Sequence, residues 1–312
     1  MTITQLQYVL AVAEHQNFTL AAEKSFVTQP TLSMQVQKLE EELDILIFDR
    51  SKKPIGITEV GAKIVAQAKN IINESNRIKD IVDQEKGFIG GEFTLGIIPT
   101  VMPTLLPMFL KTFINRYPKV NLIIKEKNTE NLIRDLQDGH LDAAIAATPL
   151  EIEFIKERPL YYEPFVGYVP ESHRLGKANK LHPEDLDIND ILLLRDGHCF
   201  RENIINLCNT KKNFREDHFQ LQSGSFETLV NLSNEGLGMT LLPFLNTLEL
   251  DHKKKQNLKL FENPSPAREI SLIYHKSELK VQITDALHDV ISGVVRGAIA
   301  FQDVKIISPL NR

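Results

Sequence analysis

Residues 18–62, FTLAAEKSFVTQPTLSMQVQKLEEELDILIFDRSKKPIGITEVGA, decide how the first part of this chain folds. Val27-Thr28-Gln29 is a tight connection: Thr28 suits a helix N-cap, and Pro30 suits the first turn after it, where no intrahelical N–H is lost. Beyond it Leu32, Val36, Leu39 and Leu43 recur at helical spacing and mark one face of a helix. Upstream, Phe18 and Thr19 open a shorter helix with Leu20, Ala21, Ala22 and Phe26 as its apolar positions. Leu6, Val9, Leu10 and Ala13 define another over residues 4–15. Three short helices with a three-residue turn before the third make a helix-turn-helix. Downstream, Pro54-Ile55-Gly56 interrupts the short apolar runs between Ile47 and Ile57, the pattern of a small β-wing.

A unit of this kind offers the N-terminal residues of its last helix to base edges in the major groove of duplex DNA. Gln29, Pro30, Thr31, Ser33, Met34 and Gln37 stand there. Gln, Ser and Thr side chains hydrogen-bond bases, and Thr and Met suit a thymine methyl. Lys38, Arg50, Lys52 and Lys53 are placed to hold phosphates, which fixes register without reading sequence. Any one of these alone reads as a solvated surface residue; together on one unit they favour DNA contact. Bulk charge lends no support. The whole chain carries −5, and its first sixty residues hold five Lys/Arg against eight Asp/Glu. The argument therefore rests on geometry.

Composition excludes other classes. A length of 312 residues allows two or three domains, and 42% hydrophobic with 25% charged residues is that of a globular, water-facing protein. No apolar run is long enough for a transmembrane helix. The start, MTITQLQYVLAVAEH, has no basic leader and does not read as a signal peptide, so a cytoplasmic location is expected. Cys199 and Cys208 are the two cysteines, too few for a disulfide scaffold. Neither a CxxC nor an HxxxH pair is present, and no cofactor or metal is expected.

Residues 1–58 form the winged unit. Residues 59–91 read as a long linker helix, from about Glu59 to Lys86, and a hinge at Phe88-Ile89-Gly90-Gly91. The helix carries Val60, Ile64, Ala68, Ile71, Ile72, Ile78, Ile81 and Val82, a stripe that one helix cannot bury alone, so a partner helix from a second subunit is expected. Residues 92–312 then alternate strand and helix: Phe93–Ile98, Thr104–Arg116, Val120–Glu126, Glu130–Asp138 and Ala143–Ala147. That alternation predicts a parallel sheet with crossover helices. A second set of short elements spans about 164–268, and Ile270–Tyr274 reads as a strand returning to the first half. The expected fold is α/β with two lobes and a cleft, lobe I at about 92–163 and 269–300, lobe II at about 164–268.

The second half holds Arg195-Asp196-Gly197-His198-Cys199-Phe200-Arg201, then Cys208. Gly197 gives a turn and a helix starts after it. A thiol at that start meets unpaired N–H groups and the positive end of the dipole, which favour thiolate. His198 and Arg201 are placed to add positive potential. A thiolate attacks peroxide oxygen to give a sulfenic acid, which a second thiol resolves to a disulfide. Nine residues of straight helix separate the two Cα atoms by about 13 Å, whereas a disulfide needs less than about 7 Å. Bonding would therefore require residues 200–208 to unwind. The plainer reading, cysteine as a small buried hydrophobe, fits Cys208 beside Ile204, Ile205 and Leu207.

The 18–62 segment resembles the winged helix-turn-helix of LysR-type transcription regulators. The resemblance rests on Ala21-Ala22, Gln29-Pro30-Thr31-Leu32-Ser33, Leu39-Glu40, Leu43, Phe48 with Arg50, and Thr58 with Gly61. Asp44 stands where that family usually has glycine. The stretch from Asp196 to Cys208 is similar to the sensing segment of the family's hydrogen-peroxide-responsive branch, as are Ile98-Pro99-Thr100, Leu105-Leu106-Pro107 and Gly238-Met239-Thr240-Leu241-Leu242-Pro243. The resemblance covers nearly the whole chain. It implies a periplasmic-binding-protein-like sensor domain, Cys199 as the peroxidatic thiol and Cys208 as the resolving one. It places Thr100, Thr129, His198 and Arg201 about a peroxide pocket. Thr210 stands where relatives have glutamine. The function implied is a peroxide-switched regulator, mainly an activator, and not an enzyme. Its partners would be duplex DNA, RNA polymerase, a cellular thiol reductant and copies of itself, dimerised through the linker helix and tetramerised through the sensors. The alternative is a regulator that binds a small anionic metabolite in the cleft, with Thr100 at a helix N-terminus.

Overall fold

The computed structural model describes residues 1–85, 89–208, 223–299 and 304–310. It divides into two compact units, Met1–Phe88 and Ile89–Arg312.

In the first unit, α1 (Ile3–His15) opens with a reciprocal cap. The Thr2 hydroxyl accepts from the Gln5 amide, and the Gln5 side chain accepts from the Thr2 amide. Asn17 caps α2 (Phe18–Lys24), and Thr28 caps α3 (Gln29–Leu43) by accepting from the Thr31 amide. Leu6, Val9, Val12, Ala21, Ala22, Leu32, Val36 and Leu39 form one core, so the alanine pair lets the helices approach closely. Phe26 departs from expectation: it lies beyond α2 with φ 55° and is 95% exposed. The chain must reverse there to reach α3, and this takes Phe26 off the helical face its spacing suggested. Asp44 ends α3 in the left-handed region, φ 52°, while the Ile45 amide bonds back to the Glu40 carbonyl at 3.0 Å. The wing is β1 (Phe48–Asp49) paired antiparallel with β2 (Gly56–Ile57).

The linker helix α4 spans Glu59–Glu85; Lys86 and Phe88 of the expected helix and hinge lie outside the described residues. Ile64, Val65, Ala68, Ile71 and Ile72 pack on the winged core. Farther along, Ile78, Ile81 and Val82 are 64%, 48% and 44% exposed, an apolar face the unit does not cover itself. The helix is tied to the wing at its start. The Thr58 hydroxyl donates to the Leu46 carbonyl at 2.7 Å and accepts from the Gly61 amide at 2.9 Å. A Cβ at Gly61 would come within 2.1 Å of the Ile47 carbonyl oxygen, so only glycine fits.

The second unit has two lobes. β3 (Gly91–Ile97), α5 (Met102–Arg116), β4 (Val120–Glu126), α6 (Thr129–Gln137) and β5 (Ala143–Thr148) alternate as expected, and β3 pairs parallel with both β4 and β5. The 14-residue β6 (Ile155–Tyr168) leaves this lobe. α7 (Cys199–Leu207), α8 (Phe226–Asn234), β7 (Thr240–Pro243), α9 (Phe244–Leu248), α10 (His252–Lys255) and β8 (Leu258–Lys259) build the other, except that α9 sets Leu245 in the lobe I core. Asp251 caps the lysines of α10 into one helical turn. β9 (Ser265–His275) returns, antiparallel to both β5 and β6. α11 (Val281–Arg296) packs on lobe I, and β10 (Val304–Ile306) adds parallel to β9. The sheet order is β4-β3-β5-β9-β6-β7. β6 and β9 thus run through both lobes, and each lobe has its own apolar core.

Candidate functional site

On α3 the split between faces is clean. Leu32, Val36 and Leu39 are buried, while Gln29, Pro30, Thr31, Met34, Gln37 and Lys38 are exposed. Gln37 donates to Glu41 at 2.9 Å. Lys52 pairs with Asp49 at 3.4 Å, and Lys53 is exposed on the wing. Arg50 is less free than its place in sequence suggested. Its guanidinium lies 4.8 Å over the Phe18 ring and donates to Ser33 and to Glu40, at 3.2 and 2.9 Å. Glu40 is 4% exposed. Its other oxygen accepts the Ile47 and Phe48 amides at 2.8 and 3.1 Å, fastening the reading helix to the wing. Sequence offered one faint signal: the glutamate falls beside Leu39 on the buried face.

In the second unit, Gly197 takes φ 86° and turns the chain into α7. Cys199 is the first residue of that helix and Cys208 its C-cap. Cys199 is half-buried and packs against the lobe I core. Cys208 is buried in the lobe II core with Phe200, Ile204 and Leu207. Burial first, and Asp187 second, push its thiol up to about 12, so it is a neutral, weak nucleophile in this state. Helical geometry from 199 to 207 keeps the two Cα atoms about 13 Å apart.

Cys199 opens onto a narrow crevice lined by Ile98, Pro99, Thr100, Asn128, Thr129, Gly197 and His198. Three of the four pocket residues expected from sequence are therefore together. Arg201 is not among them: it pairs with Asp196 at 2.9 Å and donates to the Leu194 carbonyl at 3.2 Å, because the first helical turn carries it toward that loop. The positive potential expected from His198 is also absent, since burial and then Arg195 lower its pKa and keep the ring neutral near pH 7. Two buried polar atoms here, Thr129 Oγ1 and His198 Nδ1, have no protein partner. The chemistry of these two atoms suits a small molecule with hydrogen-bonding oxygens. Thr210 lies outside the described residues.

Beneath the crevice is a network that sequence did not disclose. Arg268, wholly buried, donates to Thr100 Oγ1 at 2.9 Å and to the Thr100 carbonyl at 3.2 Å. It pairs with Glu163 at 2.7 Å and lies 5.1 Å from the Phe200 ring. Glu163 in turn accepts the Leu245 amide at 3.1 Å. One guanidinium thus links the loop before α5 to the ring that follows Cys199. Among the described residues no group of acidic, histidine and cysteine side chains is arranged to hold a metal, and no helix is long and apolar enough to cross a membrane.

A winged helix-turn-helix followed by a two-lobed α/β unit defines a class of one-component transcription regulators. The model of the bacterial regulatory helix-turn-helix protein, lysR family, matches residues 3–62, and that of the LysR substrate binding domain matches residues 86–295. The chain belongs to the LysR family. It is 34% identical over 277 residues to the DNA-binding transcriptional dual regulator OxyR of Escherichia coli K12, covering 88% of this chain and 89% of that one. The hydrogen peroxide-inducible genes activator of Haemophilus influenzae is 32% identical over 301 residues, 95% of this chain and 99% of that one. Among solved structures, a full-length cysteine-to-aspartate mutant of OxyR from Pseudomonas aeruginosa aligns with TM-score 0.74 and 32% identity, covering 94% and 98% of the two chains. A hydrogen-peroxide-bound cysteine-to-serine mutant of OxyR from Corynebacterium glutamicum aligns with TM-score 0.63 and 28% identity, covering 98% of each.

Proposed function

We propose that the chain is a transcription regulator, mainly an activator of an oxidative-stress response, switched by hydrogen peroxide through Cys199 and Cys208. The observation that carries this reading is the placement of the two thiols: one at a helix N-terminus beside a crevice with unsatisfied polar atoms, the other sealed in a different core. The thiolate of Cys199 attacks a peroxide oxygen and the O–O bond breaks. Hydroxide leaves and is protonated to water, with a sulfenic acid left on sulfur. Thr129 and neutral His198 are suited to orient the peroxide. Cys208 then attacks the Cys199 sulfur, the S–O bond breaks, a second water leaves and a disulfide forms. Because Cys208 starts as a neutral buried thiol about 13 Å away, the second step requires α7 to unwind, and that rearrangement is the signal.

The names of the relatives and the peroxide-bound structure support the same reading. DNA contact falls to Gln29, Pro30, Thr31, Ser33, Met34, Gln37 and Lys38 on α3 and to Arg50, Lys52 and Lys53 on the wing. Dimers form through the exposed stripe of α4 and tetramers through the sensor units. RNA polymerase and a thiol reductant complete the cycle in the cytoplasm, and peroxide is consumed stoichiometrically rather than turned over. Mass spectrometry after mild peroxide, together with footprinting of reduced and oxidised protein, tests this. The expected result is a Cys199–Cys208 crosslink and a shifted footprint, both lost in Cys199→Ser. An uncrosslinked protein whose footprint responds instead to a small carboxylate would overturn the reading in favour of a metabolite regulator.

A further inference from the structure

The described part of the tail beyond α11 grips α7. β10 runs parallel to the start of β9, with Val304, Lys305 and Ile306 opposite Ser265, Pro266 and Ala267. The Ile307 amide donates to the Ala267 carbonyl at 2.8 Å. Ile307 is then buried in the lobe II core together with Phe200, Ile204, Leu207 and Cys208. Two carboxamides on α7 hold the segment that follows. Asn203 Nδ2 donates to the Ile307 carbonyl at 2.7 Å, and Asn206 Nδ2 donates to the carbonyls of Ser308 and Leu310, both at 2.9 Å. Asn203 and Asn206 are three residues apart, so a helix, and not an extended or tightly looped chain, presents both to one partner.

The α7 side chains that hydrogen-bond the described tail, Asn203 and Asn206, lie between the two cysteines. Closing a disulfide brings their Cα atoms within about 7 Å, which the helical spacing of 199–208 forbids. The grip of the tail and the crosslink therefore demand incompatible shapes of the same residues. We propose that residues 304–310 are a strap that holds α7 helical in the dithiol state and is released when the disulfide forms, so that its grip sets how slowly the sulfenic acid is resolved. This rests on the peroxide-switch reading above and deepens it. None of residues 304–310 lines the crevice, so the strap leaves the first step, attack of Cys199 on peroxide, unchanged. The oxidant throughout is hydrogen peroxide, reduced to two waters as the two thiols become one disulfide.

Two measurements on the full chain test the strap. Hydrogen–deuterium exchange is followed over 304–310 in the dithiol and peroxide-oxidised protein, with the disulfide verified by mass. Exchange at Ile307 rising at least about tenfold on oxidation is expected. An unchanged rate in verified disulfide protein overturns the strap alone, whereas failure to form any disulfide overturns the switch reading and the strap with it. Asn206→Ala removes two of the three side-chain bonds at a half-buried position. Sulfenic acid formation, followed by trapping with a dione, stays at the wild-type rate, and conversion to disulfide speeds up by about three- to tenfold. Resolution at or below the wild-type rate would refute the proposal. A general loss of structure would show instead as a changed first step, and the exchange experiment on the wild-type chain then decides.

Discussion

Glu40 and Glu163 are both withdrawn from water, at 4% and 1% exposure, but the two units satisfy them in different ways. Glu40 takes two backbone amides and one guanidinium, that of Arg50, which is itself 40% exposed. Its partners lie seven to ten residues along the chain. Glu163 takes two nitrogens of Arg268, a residue 105 positions away with no exposure at all, and one amide. A carboxylate that faces a half-solvated cation keeps some of its hydration by proxy. One that faces a dry cation depends on it entirely, because either charge left alone in a low-dielectric interior is strongly unfavourable. The first arrangement fastens neighbouring elements in one unit; the second couples the helix-start loop at Thr100 to the ring of Phe200.

The contrast breaks most readily at Arg268. Arg268→Met leaves Glu163 unpaired and lowers the stability of the second unit by about 3–5 kcal/mol, read by urea unfolding. The double change Arg268→Met with Glu163→Leu recovers most of that loss, and a single-variant loss below about 1 kcal/mol would mean the pair is wetter than its burial says. Glu40→Ala is expected to be milder. It orphans two amides while Arg50 turns to solvent, a loss of about 2–3 kcal/mol in calorimetry of the first unit, with weaker DNA binding because helix and wing separate.

A third carboxylate sharpens the comparison by lacking a full complement. Burial, and next Asp142, raise Glu278 from 4.5 to about 7, while the amides of Leu279 and Lys280 only partly offset this. A raised folded value means the stabilising contribution is complete below 4.5, declines as the unfolded carboxyl ionises first, and is gone once pH passes about 7. The slope in that window is at most about 1.4 kcal/mol per pH unit. Glu278→Gln flattens it, as unfolding midpoints between pH 5 and 8 would register. The smallest effect belongs to Asp44, a solvated carboxylate in a left-handed residue. Asp44→Gly stabilises the first unit by about 0.5–1 kcal/mol with DNA affinity intact.

Legibility followed distance along the chain. Thr28, Pro30 and the Leu32–Val36–Leu39 spacing act within a few residues, so α3 and its exposed reading face could be taken directly from sequence. The alternation that gives β3, α5, β4, α6 and β5 is likewise local. Spacing alone puts Phe26 on the face of α2 but says nothing of where that helix stops; the reversal into α3 decides that. Arg201 went astray for a related reason, since proximity to Cys199 in sequence does not fix the direction of a side chain one helical turn in. Neither Arg268 with Glu163 nor the asparagines with the tail left any periodic trace, since their partners sit about a hundred residues apart and meet only once both lobes have formed. The crevice around Cys199 fell between these cases: the family likeness supplied Thr100, Thr129 and His198, and the fold gathered them.

Gly61 has a mechanical consequence. With no room for even a methyl group between the first turn of α4 and the Ile47 carbonyl, and with Thr58 bridging the two, the helix has no slack where it meets the wing. A rotation of that first turn must carry Leu46 and Ile47, and with them the start of β1, along with it. The wing therefore behaves as the short arm of a crank whose long arm is the helix.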